Sequence, residues 1–351
     1  MPNDDMINEL GLKYLNGVGV PVNYAAAMNY FKKAAHIGNS DAMVNIGKLY
    51  QEGLGVVQNN YEALGWYKAA ANKGNIEAMY LTARLYNSSN DIPQNKELAI
   101  QFYEKAANSG YEDAMFPLAC LYDEEFIYFQ NMNIKELDDD DVLKYLSYPV
   151  KSFKWFKKAA ELGNIEAMFI TAQKYENFYT LHNKKNESEL ANALKWYFRA
   201  ADAGHHQEAM FRLARIFDTG CYTLVPIDKD MAWYWYRQAA NSGQYEAMYK
   251  VGRELHKNHK YSKAFEYFFK AAHAGHYDSM LEVGLYYLNA FYGNGPRNID
   301  KGRQWLLKVA NCGNKYLEFE ARTILEELDE FLEKMRQEEI RQKKIRQKKE
   351  D

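Results

Sequence analysis

Apolar positions along the 351-residue chain fall into short stripes that recur as one phrase, Ala-Ala-x-x-Gly-x-x-(Asp/Glu)-Ala-Met. The phrase runs from Ala34 to Met43, Ala70 to Met79, Ala106 to Met115, Ala159 to Met168 and Ala239 to Met248, with near-copies from Ala200 to Met210 and Ala271 to Met280. Its Gly stands at 38, 74, 110, 163, 204, 243, 275 and 313, so most steps span 32 to 41 residues and one spans 53. Self-similarity at this period predicts stacked helix-turn-helix units, each burying its apolar face against its neighbours.

The second helix of a unit is the clearer one. Ala63, Trp66, Tyr67, Ala70 and Ala71 stand at i, i+3, i+4, i+7 and i+8, one stripe of an amphipathic helix. The same spacing places ring pairs at Tyr30-Phe31, Phe102-Tyr103, Trp155-Phe156, Trp196-Tyr197, Trp235-Tyr236 and Tyr267-Phe268, and Trp305-Leu306 in the last copy. A buried ring removes roughly 150–250 Å² from water, at most about 4–6 kcal/mol each. The first helix reads Ala42-Met43, Ile46-Gly47, Tyr50, with Ala83 and Ala119 in the place of Gly47 in two copies. A Gly there costs about 1 kcal/mol of helix propensity, so a close approach of the partner helix is expected in return. The acid before each Ala-Met pair falls in the first turn, where the helix dipole favours negative charge. The Gly after Ala-Ala suits a C-terminal cap. Gly17-Val18-Gly19 and Gly53-Leu54-Gly55 lack the preceding strand and third Gly of a nucleotide-binding loop and read as turns needing positive φ.

Taken together, Ala-Met-x-x-Leu-Gly-x-x-Tyr, Gly-x-Gly-Val, Ala-x-x-Trp-Tyr-x-x-Ala-Ala and the closing Gly resemble the Sel-1-like repeats, relatives of the tetratricopeptide repeats, over residues 4–313. The resemblance implies an all-α fold, a right-handed α/α solenoid of about eight units at 4–38, 39–74, 75–110, 111–163, 164–204, 205–243, 244–275 and 276–313. A C-terminal capping helix at 314–332 and a charged basic tail at 333–351 follow. It implies a concave face lined by the first helices and an adaptor or scaffold role. In some bacterial relatives it implies service as the immunity or regulatory partner of a toxin.

Composition narrows the classes. A formal net charge of -3 argues against a protein that binds polyanions over its whole surface. The three cysteines, Cys120, Cys221 and Cys312, are odd in number and far apart, which suits reduced thiols in a cytoplasmic protein. The acidic first residues predict no leader, and no run approaches the ~20 apolar residues of a membrane span.

Catalytic spellings are missing: there is no His-Glu-x-x-His, Gly-x-Ser-x-Gly, Gly-x-x-x-x-Gly-Lys-Ser/Thr, Cys-x-x-Cys or Ser-x-x-Lys. The expectation is a non-enzyme with no cofactor, no metal and no small-molecule substrate. His256-x-x-His259 could share a helix face, but no Cys or carboxylate stands near it in the pattern of a zinc site. Unit four carries extra residues within Asp123 to Val150, among them the acidic run 136–141, and reads as a solvated surface loop. Its unspaced acids do not fit an EF-hand; a basic partner is the alternative.

Packing claims the Ala, Ile/Leu and Gly positions of the first helices. The positions left over carry Lys48, Arg84, Arg212, Arg215, Lys250 and Arg253, with Leu81, Ile170 and Pro117 between them. Arginine forks suit carboxylates, so the expected partner is a protein or peptide, an acidic or C-terminal segment with hydrophobic anchors. The tail repeats Ile340-Arg-Gln-Lys-Lys as Ile345-Arg-Gln-Lys-Lys. It reads as a solvated helix, and the lesser alternative is a nucleic-acid-associated role for it.

Overall fold

A computed structural model describes residues 4–132, 139–181, 187–220, 225–289 and 298–350. Among them the chain forms seventeen helices and no β-strand. The first helices of the successive units are α1 (Asp4–Asn16), α3 (Ser40–Glu52), α5 (Ile76–Ser88), α7 (Glu112–Gln130), α9 (Ile165–Leu181), α11 (Gln207–Thr219), α13 (Tyr245–Lys257) and α15 (Tyr277–Leu288). The second helices are α2 (Tyr24–Ile37), α4 (Asn60–Asn72), α6 (Lys96–Asn108), α8 (Asp139–Glu161), α10 (Glu187–Gly204), α12 (Lys229–Asn241), α14 (Tyr261–His273) and α16 (Ile299–Val309), and α17 (Lys315–Glu350) closes the chain.

The chain divides into two compact units, Met1–Lys174 and Tyr175–Asp351. In the first, α1 pairs with α2, α3 with α4, α5 with α6 and α7 with α8, and each hairpin packs its second helix on the next first helix. In the second, α11–α12, α13–α14 and α15–α16 repeat the plan, and α17 lies on α16 and α15.

One contact recurs within the hairpins. The second member of each ring pair is buried, from Phe31, Tyr67, Tyr197 and Phe268 at 0% exposure to Tyr236 at 6%. Where the first helix carries Gly, the ring lies on bare backbone: a Cβ on Gly47 would come within 2.4 Å of Tyr67 Cε1, and one on Gly11 within 2.5 Å of Phe31 Cε1. The close approach expected from Gly in a helix interior is therefore present, and a ring fills it.

The turns between units are built from three residues. Gly38 takes φ 111°, the left-handed conformation that ends α2. The next residue caps the following helix: Asn39 Oδ1 accepts from the Ala42 N–H at 2.7 Å, and Asn75, Asn164, His206, Gln244 and His276 act alike at the same place. The cap amide then reaches back to the phrase's acid in the unit before. Asn75 Nδ2 donates to Asp41 Oδ1 at 2.6 Å, and Gln244 Nε2 to Glu208 Oε1 at 3.2 Å. Two turns depart from the plan: Tyr111 gives α7 no side-chain cap, and α10 continues through Gly204, where His205 takes the positive φ of 50°.

Two expectations need correction. The insertion of unit four is no loop over its described part, because α7 and α8 lengthen to 19 and 23 residues against 13 in α3 and α4. Aromatic residues at helical spacing pair the two extensions: Phe126 stacks on Tyr145 at 5.0 Å, and Tyr148 packs against Tyr122 at 5.5 Å and Phe129 at 6.0 Å. Of the acidic run, 136–138 lie outside the described residues; α8 begins at Asp139, and Asp140 and Asp141 stand in its first turn, where the dipole favours them. At the other end, cap and tail form one continuous helix, α17, and the residue border expected at 332/333 marks only a change of exposure. Leu317, Ala321 and Leu328 are buried, whereas 333–347 are exposed throughout.

Replacing Gly47 with Ala should cost stability despite a propensity gain of about 1 kcal/mol, because the new methyl must displace the Tyr67 ring. A net loss of about 1–3 kcal/mol in urea unfolding is expected, and a gain would contradict the packing described. His276 gives a pH prediction. Burial holds its imidazole below the ordinary value of 6.5, against the opposing pull of Asp278 and Glu246, and its Nδ1 accepts from the Ser279 N–H at 3.2 Å. The unfolded chain therefore takes the proton first as pH falls below about 6.5, and stability is lost as pH drops through the lower folded-state value. His276→Asn keeps a cap without the titration, so its melting temperature should fall less between pH 7 and 5 than that of the parent chain; an equal fall would reject the assignment.

Candidate binding face

Helices α11 and α13 place four of the six cations named above. Ala209, Met210, Leu213, Ala214 and Ile216 of α11 are buried, which turns Arg212 and Arg215 to the remaining face. In α13, Ala247, Met248, Val251 and Gly252 are buried, and Lys250 and Arg253 are exposed. Arg212 and Arg215 line a groove with Glu176, Tyr179 and Leu190. Lys250 and Arg253 line a larger groove of about 1360 Å³ whose walls include Trp233, Tyr236, Tyr249 and Phe268.

The second groove has fixed internal charges. Lys229 Nζ donates to Asp218 Oδ1 at 2.6 Å and the Tyr236 hydroxyl to Oδ2 at 3.2 Å. Those bonds, led by the one from Lys229, hold the Asp218 carboxyl below its ordinary value. Arg253 lies over the Tyr249 ring, 5.9 Å from its centroid, and Nη1 donates to the Tyr249 hydroxyl at 3.4 Å. Across the groove, burial pushes the Glu282 carboxyl up, with Arg253 pulling the other way. Among the described residues, Arg212, Arg215, Lys250 and Arg253 form no ion pair within 4 Å.

Lys48 and Arg84 belong to the first unit and share a groove there with Glu52, Glu77, Asp113 and Tyr111. Lys48 Nζ is engaged, donating to Glu77 Oε1 at 2.7 Å, and Arg84 lies over the Tyr80 ring at 5.7 Å. Leu81 does not serve as an exposed anchor: it is 7% exposed and part of the core. Its place in the repeat is occupied by Asn45 one unit earlier, whose amide donates to Asn8 Oδ1 at 3.0 Å, so the position faces a neighbouring first helix.

Sequence reasoning missed a polar ladder, most of it inside the hairpins, with one rung, His256 to Tyr286, joining α13 to α15 of the next hairpin. The residue nine after the Ala of Ala-Met is Gln51, Asn87, Asp123, Glu176, Asp218 or His256. Four of these receive or share a buried tyrosine hydroxyl: Tyr67 to Gln51 at 2.8 Å, Tyr197 to Glu176 at 2.5 Å, Tyr236 to Asp218 at 3.2 Å and Tyr286 with His256 at 2.7 Å. Asp123 instead accepts from Lys174 at 2.8 Å. Burial, reinforced by these acids, raises the Tyr197 and Tyr236 hydroxyls far above the ordinary tyrosine value. His256 and His259 each meet a tyrosine, His259 at 2.7 Å from the Tyr261 hydroxyl. Among the described residues no group of three His, Cys, Asp or Glu is arranged to hold a metal ion.

The family model for the Sel1 repeat matches residues 5–39, 40–75, 76–111, 149–164, 184–205, 207–244, 246–276 and 278–314. The chain belongs to the Sel1 repeat family. Among solved Sel1 structures it is similar to a protective antigen of uropathogenic Escherichia coli strains displaying an SLR fold, with 26% identity and a TM-score of 0.71 over 92% of this chain and 64% of that one. The chain thus spans somewhat less than two thirds of that antigen's length. A Sel1 repeat protein from Oxalobacter formigenes shares the fold at 23% identity and TM-score 0.64, over 92% of this chain and 87% of that one. An immunity protein of Pseudomonas aeruginosa aligns at 20% identity over 69% of this chain and 83% of that one, with a TM-score of 0.31 that carries no argument for a shared role. No curated protein matches the chain. Sel1 repeats generally mediate protein–protein interaction, and proteins built from them are typically non-enzymatic scaffolds. Among the described residues no helix is long and apolar enough to cross a membrane.

Proposed function

We propose that this Sel1 repeat protein is a non-catalytic adaptor that holds a carboxylate-bearing segment of another protein on the first-helix face of its second unit. The observation that carries the reading is the set Arg215, Lys250 and Arg253. All three are exposed, and none is paired with an acid among the described residues. Placing an acidic segment against them satisfies charges that the fold leaves to solvent, and Arg forks add bidentate geometry. The Tyr249 and Trp233 rings, in the groove that Lys250 and Arg253 line, supply apolar contact for an anchor residue. Lys229 contributes less, because Asp218 already neutralises it. A free C-terminal carboxylate and an internal Glu-rich segment are both within this reading. A cytoplasmic location goes with it, since Cys120 and Cys312 are free thiols.

The test uses a fluorescein-labelled Glu-rich peptide containing one Trp, made with a free or an amidated C-terminus. Arg215→Glu combined with Arg253→Glu should weaken its binding at least about tenfold, equivalent to about 1.4 kcal/mol, with an unchanged melting temperature. Comparing the two peptide ends then reports whether the terminal carboxylate is read. Equal affinity of parent and double variant would reject the face.

A further inference from the structure

Two helices of this chain present apolar stripes to water, and both belong to its departures from the repeat. On α8, Leu143, Leu146 and Val150 are 66%, 62% and 71% exposed. At 100° per residue they fall within an arc of roughly 60°. On α17, the seam that buries Leu317, Ala321 and Leu328 runs on past the last hairpin through Met335 and Ile345, which are 50% and 41% exposed. These two lie within an arc of roughly 80°. A lone helix in water is marginal, since packing supplies most helical stability in proteins.

Charge order along the two helices is the same, acidic first and basic last. Helix α8 carries Asp140 and Asp141 at its start and Lys151, Lys154 and Lys158 further on. Helix α17 carries Glu326, Glu327, Asp329, Glu330 and Glu333, followed by Arg341, Lys343, Lys344 and Arg346. From Asp140 to Lys154, and from Glu330 to Lys344, the rise is the same, roughly 21 Å. Laid antiparallel, the basic end of α17 meets the acidic start of α8, and the acidic stretch of α17 meets the lysines of α8.

We propose that α17 of one molecule docks antiparallel along α8 of a second copy, apolar stripe on apolar stripe. Each stripe is exposed on its own helix. The contact joins two different surfaces and is heterologous, so each copy offers one donor helix and one acceptor helix. It is separate from the cationic face of α11 and α13 and does not depend on the reading of that face.

Sedimentation velocity over a range of protein concentrations tests this with the full chain. The parent protein should self-associate, with a dissociation constant about tenfold or more weaker in 500 mM than in 50 mM salt as the charge pairs are screened. Leu143→Ser with Leu146→Ser disables α8, and Lys343→Glu with Lys344→Glu disables α17. All four positions lie on exposed helix surface, and unchanged circular dichroism confirms that each variant folds. Either variant alone should remain monomeric. An equimolar mixture should associate, because one variant retains a working α8 and the other a working α17. The proposal is overturned by a parent protein that stays monomeric at every concentration. It is equally overturned by an α8 variant that self-associates like the parent, which would mean α17 pairing with α17, or by a mixture that does not associate.

Discussion

The ring of each second helix lodged against the small residue of its first helix sets the geometry on which the rest of the repeat depends. Interiors are packed to the density of organic crystals, so a ring held against Gly47 or Gly11 fixes both the separation and the rotation of two helices at once. The Ala residues around the ring let the next hairpin approach with little side chain between. Once those positions are committed, the inner faces of the helices have no freedom left. Beyond the polar ladder, variation falls to the outward positions of the first helices, to the turns and to the ends, and any partner must be recognised there.

Polar side chains make the packing directional. A ring alone could slide along a Gly-containing helix; the Tyr67 hydroxyl bound to Gln51, and Tyr236 bound to Asp218, fix its level. Between units, the cap amide that satisfies a helix N-terminus also grips the acid of the unit before, as Asn75 does with Asp41. The acid of the phrase therefore does more than complement a helix dipole, because it ties one hairpin to the next.

The repeat fold was legible because its determinants are identical from copy to copy: ring, small residue, glycine turn. What escaped the sequence is what changes type while keeping its role. Caps drawn from Asn, His and Gln look like a variable position until each side chain is seen accepting from the N–H three residues on. The ladder nine residues after Ala-Met mixes amides, acids and an imidazole, and only the shared tyrosine partner unites most of its members. The insertion read as a loop because extra length at a junction was weighed above the helical spacing of Phe126, Phe129, Tyr145 and Tyr148. Leu81 read as an anchor because a first-helix position was treated as outward in every unit, although in some it faces the neighbouring first helix. Of the six cations, periodicity alone grouped the four on α11 and α13 correctly by helix; it could not show that Glu77 already holds Lys48.

On the function proposed for this chain, recognition is carried by exposed charges on α11 and α13 rather than by its core. Hydrogen–deuterium exchange measured with and without saturating Glu-rich peptide tests that view most directly. Slowed exchange concentrated in 207–219 and 245–257 is the result expected. Protection confined to other helices, or none at a peptide concentration that saturates binding, would contradict it.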